Sequence, residues 1–389
     1  MLWGYPPSIS RSLLAAVLFM ATPVTNVDPD PPLPITDEVT LLFTGDILVH
    51  TPVTASAARY GQVLDRPYDF APMFVEVAPV ISAADLAVCH LEVPIGVPGI
   101  VSSPFPRLAA PAAVADALAA AGFDGCSTAS NHSLDFGEPG VLSTIAALDD
   151  AGVSHTGTAG DPGDANGILY EVDGLLIGHV SYSYGFNGFS VPVDQPWLAN
   201  QIDAERILTD TARLKRVGAD FVVVSLHWGA EYLIEPIGYQ TDLAELLVAS
   251  DGIDLIIGHH AHVVQPMAWV GGKPVAYGLG NFLSNQTNQR SEDGVILIVR
   301  LGRDASRWGV ADVIAVPTWV DRHNGHVIRS ALGATINGGL PAASAGRTEG
   351  ALSMMGEAVV VNSVADARRW VLAADIAARV NSLCERGAC

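Results

Sequence analysis

The chain has 389 residues, enough for one large core or two domains, and 49% of it is hydrophobic, which excludes general disorder. Its formal charge is -21, from 41 acidic against 20 basic residues, and only Lys215 and Lys273 are lysines. No basic run is present, which argues against a nucleic-acid partner, and an anionic ligand would need a local cation to hold it.

In chain order, Arg11 precedes the apolar run from Leu13 to Ala21, which is too short to span a bilayer well. A basic residue before a short apolar core fits a signal peptide, and a buried N-terminal helix fits the same residues. No A-x-A site follows, so cleavage and retention as an anchor both stay open. Residues 22–36, with Asp28-Pro29-Asp30-Pro31-Pro32, read as an extended linker. Residues 1–36 are therefore expected to be a targeting segment or anchor plus linker. The expected location is exported or membrane-anchored at the cell envelope.

The body, 37–335, repeats a buried strand followed by a loop that carries polar residues. Val39–Thr44 runs into Gly45-Asp46, and Asp85–Cys89 into His90-Leu91-Glu92. Gly125–Thr128 runs into Asn131-His132, and Asp220–Leu226 into His227-Trp228-Gly229. Asp254–Ile257 runs into Gly258-His259-His260-Ala261-His262, and Val275–Gly278 into Gly280-Asn281. Helical patterns lie between them at Pro111–Ala121, Gly140–Ala151, Asp203–Val217 and Thr241–Ala249. This alternation predicts α/β layers, with ligand groups at the C-terminal strand ends. Gly294–Leu301 and Val310–Val316 follow as strands without a helix between them and are expected to complete an antiparallel sheet. Residues 336–389 read as a Gly/Ala/Ser-rich loop and a helix from Ala365 to Val380.

Cys89 and Cys126 lie in apolar runs and read as small core residues. Cys384 and Cys389 would close a small terminal disulfide in an exported protein. No CxxC pair exists, which removes a zinc ribbon.

His259, His260 and His262 crowd four positions, and His260 and His262, two residues apart, would point the same way from extended backbone. With Asp46, Glu92, Asn131, His132, His227 and Asn281 they offer an oxygen and nitrogen set suited to zinc, manganese or iron. Trp228 is expected to pack beside the site. Glu231 reads equally as a group orienting a histidine or as a solvated loop residue. Asn281 would turn its amide to the cavity or cap a turn. Arg107 and Arg290 are candidates for a carboxylate or phosphate, although surface arginine is commoner.

The motifs Gly45-Asp46, Leu91-Glu92, Ser130-Asn131-His132-Ser133-Leu134-Asp135, His227-Trp228-Gly229-Ala230-Glu231-Tyr232, Gly258–Gln265 and Tyr277–Phe282 resemble, in order, the CapA family. These are poly-γ-glutamate capsule biosynthesis proteins, a branch of the calcineurin-like metallophosphoesterases. The resemblance spans about Val39 to Val299. It implies a four-layer α/β/β/α sandwich holding two divalent metal ions. Asp46 would bind the first ion, Glu92 would bridge both, Asn131 and His227 would bind the second, and His260 and His262 would take one each. His132 would be the general acid.

Three positions depart from the pattern. Leu48 stands where phosphoesterases place a histidine, and His50 is read as a neighbour rather than its substitute. His90 stands where asparagine is common and would be an extra ligand or, as favoured here, a donor behind the ligands. His259 competes with His260, whose spacing from His262 favours it. The resemblance implies a role in making, exporting or processing poly-γ-glutamate or a related polymer, with membrane-embedded synthesis subunits as partners. The alternatives are a phosphoesterase on a small phosphorylated substrate and a non-catalytic polymer- or partner-binding subunit.

Overall fold

The computed structural model describes residues 38–288, 290–303 and 307–330. The expected targeting segment and linker, the 336–350 loop, the terminal helix and Cys384 and Cys389 lie outside the described residues.

The first sheet begins with β1 (Glu38–Ile47), followed by α1 (Thr51–Val63) and the single-turn helices α2 (Ala71–Phe74) and α3 (Ala78–Ile81). Then come β2 (Leu86–Leu91), α4 (Ala113–Ala121), β3 (Gly125–Ser127), α5 (Gly137–Ala151) and β4 (Ser154–Thr156). β1 to β4 are parallel neighbours, an arrangement that needs the crossover connections the intervening segments supply.

The second sheet holds β5 (Ile168–Val172) and β6 (Leu175–Ser183), then α6 (Ala204–Arg216), β7 (Phe221–His227), α7 (Gly238–Val248) and β8 (Leu255–His259). It ends with β9 (Met267–Val270) and β10 (Lys273–Ala276), in the spatial order β5-β6-β7-β8-β10-β9. The sequence reading missed the β5–β6 hairpin. It turns at Asp173-Gly174, both in left-handed backbone (φ 49° and 80°), and Asp-Gly between apolar runs is a strong local hairpin signal.

The chain then returns to the first sheet through β11 (Asn281–Leu283), which pairs with β1, and β12 (Asp293–Arg303), β13 (Trp308–Asp321) and β14 (Val327–Ser330). β12 runs antiparallel to both β1 and β13, which bears out the expected antiparallel completion.

Strand alternation sorts the side chains into layers. Val39, Leu41 and Phe43 of β1 face inward with Leu86, Val88, Leu297 and Val299, against Ile177, Phe221, Val223, Leu255 and Ile257 of the second sheet. On the other face of the first sheet, Leu42, Ala87 and Ile298 pack under Val53, Met73, Phe74, Leu118 and Leu148 of the helices. On the far face of the second, Val180, Val222, Val224 and Ile256 pack under Ile207, Leu214, Leu243 and Leu247 of α6 and α7. Helix, sheet, sheet, helix is the expected four-layer sandwich. Each fully buried Leu, Ile or Phe stabilises it by roughly 1.5–3 kcal/mol.

One expectation is corrected. Cys89 and Cys126 are buried, as expected, but they are bonded to each other rather than separate. They face one another on β2 and β3 with Cα atoms 4.4 Å apart, a separation a disulfide spans. They are 37 residues apart in sequence, so only the strand register reveals the pair.

Candidate metal centre

The C-terminal ends of β1, β2 and β3 meet those of β7 and β8, and each delivers polar side chains to one buried spot. Close backbone approach fixes two glycines in the motifs. A Cβ on Gly45 would collide with the Gly280 carbonyl, and one on Gly258 with the Tyr277 carbonyl and the Trp228 indole. Trp228 is fully buried beside the cluster and donates its Nε1–H to Tyr277 O at 3.0 Å.

Asp46, Glu92, Asn131, His227, His260 and His262 are all at most 4% exposed. Asn131 Oδ1 lies 3.0 Å from His227 Nε2, which lies 3.9 Å from Glu92 Oε1. The same Glu92 oxygen is 3.7 Å from His262 Nε2, and His262 Nδ1 is 3.1 Å from Asp46 Oδ2. Glu92 therefore stands between the Asn131–His227 pair and the Asp46–His262 pair. Three overlapping groups present ligand atoms within 4.8 Å of one another: Asp46, Glu92 and His262; Asp46, His90 and His227; and Glu231, His260 and His262.

His260 and His262 converge for a reason other than the one the sequence suggested. β8 ends at His259, so the two are not alternate residues of a strand. Both adopt left-handed backbone (φ 86° and 56°), rare for residues with a Cβ and a form of strain found at functional sites. The His260 backbone N–H donates to Asp46 Oδ2 at 3.1 Å, which ties the turn to the acid.

Protonation is set by burial and neighbours. Burial, with charge on adjacent imidazoles, holds His90 and His227 well below the ordinary histidine range and brings His260 to about 3. These rings are neutral at pH 7, the form that ligates a cation. Burial pushes Glu92 up to about 7. Burial also opposes charge on Asp46, but hydrogen bonds with His259 and His262 hold it well below the usual carboxylate range. His262 is likewise opposed by burial, yet the Glu92 and Asp46 carboxylates raise it to about 9. A proton on His262 thus occupies the electrostatic position between two acids that a cation would take.

The remaining expected residues divide. His259 Nδ1 lies 3.2 Å from Asp46 Oδ1, and the His259 ring stacks on His90 with centroids 3.9 Å apart. Asn281, expected to turn its amide to the cavity or to cap a turn, is fully buried, and its amide is committed to His262 Nδ1 (3.0 Å), Gln286 and the Ser291 carbonyl. It orients a histidine. Glu231 is exposed at the edge of the His260–His262 pair. Arg290 is exposed in the turn before β12. Arg107 is exposed, with its guanidinium 4.5 Å over the Phe136 ring and its Nε donating to the Asp135 carbonyl. Leu48 is buried in the helix-side core, and His50 precedes α1 and accepts from the Asn285 N–H at 3.3 Å.

Three residues of the site were missed. Asp135 is fully buried and its Oδ2 holds His132 Nδ1 at 2.7 Å while accepting the Leu108 N–H. Its position three residues after His132 was the available cue. Asn187 Nδ2 lies 3.4 Å from His132 Nδ1, and its Oδ1 accepts from Asn131 Nδ2 at 3.3 Å. Tyr184 packs 4.6 Å from the His260 ring. Both lie beyond the unpredicted hairpin, where no motif signals them.

The donor set fits divalent metal. Glu92 is buried with neither carboxylate oxygen hydrogen-bonded, and His260 Nδ1 is likewise without a hydrogen-bond partner. Orphaned buried acceptors are costly unless a further group satisfies them, and these share the site with the neutral rings of His227 and His260, with His262 and with an ionised aspartate.

Residues 40–286 match the family described as bacterial capsule synthesis protein PGA_cap. Over 335 residues the chain is 27% identical to the capsule biosynthesis protein CapA of Bacillus anthracis, covering 84% of this chain and 78% of the relative. It is 30% identical over 182 residues to the PGA biosynthesis protein CapA of Bacillus subtilis, covering 46% of this chain and 47% of the relative. Among solved structures, the calcineurin-like phosphoesterase YfkN of Bacillus subtilis is similar at 15% identity and a TM-score of 0.44, over 72% of this chain and 90% of that one.

Proposed function

We propose that this chain, which belongs to the family of bacterial capsule synthesis proteins, acts as a metal-dependent hydrolase in the biosynthesis, export or processing of poly-γ-glutamate or a related envelope polymer. The carrying observation is the orphaned Glu92 carboxylate, buried between an Asn131–His227 pair and an Asp46–His262 pair. The names of the relatives suggest the polymer, and the side chains suggest the chemistry.

Asp46 and His262 would hold one ion, Asn131 and His227 a second, Glu92 would bridge them, and His260 would complete the set. With divalent ions of manganese, zinc or iron bound, this set would gain Lewis acidity and a means of lowering the pKa of a bound water. Asp135 fixes the His132 ring through Nδ1, so that Nε2 is the end that would give a proton to the leaving group. Asn187 stands beside His132, and Tyr184 packs against the His260 ring. Because the chain carries -21, an anionic polymer or phosphorylated substrate would be held by these ions and by Arg107, against the general field.

The Cys89–Cys126 disulfide supports an exported or envelope-anchored location, since such bonds persist in oxidising compartments, and Arg11 with its apolar run supplies the signal. Membrane-embedded synthesis subunits are the partners this location would bring within reach.

The test pairs elemental analysis of the purified protein with hydrolysis of poly-γ-glutamate and of bis(p-nitrophenyl) phosphate in added Mn²⁺ or Zn²⁺. Two ions per chain and polymer cleavage are expected. Cleavage of the phosphodiester alone would move the substrate to a phosphorylated compound. Absence of metal and turnover would leave a polymer-binding subunit.

A further inference from the structure

A hydrogen-bond chain leads from the cluster into the first sheet. Asn131 Oδ1 meets His227 Nε2 at 3.0 Å, and His227 Nδ1 meets His90 Nε2 at 2.9 Å. His90 Nδ1 meets Ser127 Oγ at 2.8 Å, and Ser127 Oγ also lies 3.3 Å from the Cys89 carbonyl. All four polar side chains are at most 3% exposed, so water is no ready substitute for a lost partner.

With both imidazoles neutral, each ring has one N–H and one lone pair, and the chain has only two consistent directions. In the first, the Ser127 hydroxyl donates to His90 Nδ1, His90 Nε2–H to His227 Nδ1, and His227 Nε2–H to Asn131 Oδ1. His227 Nε2 and Asn131 Oδ1 are then spent on each other. In the second, His227 Nδ1–H donates to His90 Nε2, His90 Nδ1–H to Ser127 Oγ, and the Ser127 hydroxyl to the Cys89 carbonyl. His227 Nε2 and Asn131 Oδ1 then both point lone pairs at the same spot.

We infer that Ser127 and His90 form a reversible relay that switches His227 from the Nε2–H to the Nδ1–H tautomer when a divalent cation binds, freeing two ligand atoms together. The relay rests on the metal reading above and deepens it. Every group keeps one proton in both directions, so the reversal itself neither takes up nor releases a proton. Ser127 is the essential terminus, because it has a second acceptor waiting at Cys89 and can turn its hydroxyl either way. The departure from asparagine at position 90 gains a purpose, since a ring presents donor and acceptor on opposite sides and can pass the reversal along. His90 and Ser127 are positioning residues that act through His227.

The full chain labelled with ¹⁵N-histidine and titrated with ¹¹³Cd²⁺ tests this by nitrogen NMR. Before cadmium, His90 and His227 should both be Nε2–H tautomers. With cadmium, both should become Nδ1–H, with ¹¹³Cd coupling at His227 Nε2 and none at His90. Coupling at His90 would make it a direct ligand and overturn the relay while keeping the metal site. Coupling at His227 with an unchanged His90 tautomer would also overturn it. No coupling at any histidine would overturn the metal reading itself. Independently, Ser127→Ala should weaken cadmium affinity about 10- to 100-fold, and Ser127→Thr, which restores the hydroxyl, should recover it. Affinity unchanged in Ser127→Ala would refute the proposal.

Discussion

Glu92 offers the sharpest test because its two roles have opposite signs. Its carboxylate is 1% exposed and neither oxygen has a hydrogen-bond partner, while the nearest imidazole nitrogens stand at 3.7 and 3.9 Å. An unsatisfied buried polar group costs about 1–3 kcal/mol, and a charged one more. Glu92→Gln keeps the shape and removes the charge, so in chelator-treated protein the variant should be more stable than wild type by roughly 1–2 kcal/mol. Metal reverses the order. At a free metal concentration of 100 times Kd, wild type gains about 2.7 kcal/mol by mass action. A variant that binds about 100-fold more weakly gains only about 0.4 kcal/mol at the same concentration. The assay is urea unfolding of both proteins with excess EDTA and with excess Mn²⁺ or Zn²⁺. A variant less stable than wild type in EDTA would refute the idea of a carboxylate held at a cost. Equal gains from metal would remove Glu92 from the site.

Three other consequences are accessible. Asp135→Asn removes the charge that holds His132 Nδ1 at 2.7 Å; turnover should fall about 10²- to 10⁴-fold with metal content unchanged, and an undiminished rate would dismiss the pair as a proton donor. Replacing Cys89 and Cys126 by alanine opens a link across 37 residues, worth roughly 3–4 kcal/mol in the chain-entropy account, so the denaturation midpoint should drop; an unchanged midpoint in oxidised protein would argue that the thiols are not bonded. His326 is 4% exposed, its Nδ1 is 2.8 Å from Ser56 Oγ, and burial and then Arg59 bring it to about 4. An unfolded chain binds this proton between about pH 6.5 and 4 while the fold does not, so stability falls as pH drops through that window. His326→Gln should make the fall shallower by about 1.4 kcal/mol per pH unit, and an identical slope would contradict the assignment.

The sequence was most informative where each strand is buried on both faces and ends on an unusual polar residue. Asp46, Glu92, Asn131, His132, His227 and the histidine cluster each close such a run, so both the layers and the residues brought together could be read from local pattern. What escaped depends on relations between distant segments. The Cys89–Cys126 bond exists because β2 and β3 are neighbours in one register, which spacing along the chain does not encode. The convergence of His260 and His262 was expected from strand alternation, but left-handed backbone after β8 produces it, with the His260 N–H anchored on Asp46 from 214 positions earlier. His90 shows the same limit more clearly. As a residue beside a motif it could be a ligand or a supporting donor. Only the fold reveals its hydrogen-bonded position between His227 and Ser127, which lie on two different sheets. Local sequence therefore names the candidate side chains, while the packing of the two sheets sets the hydrogen-bond partners that each one meets.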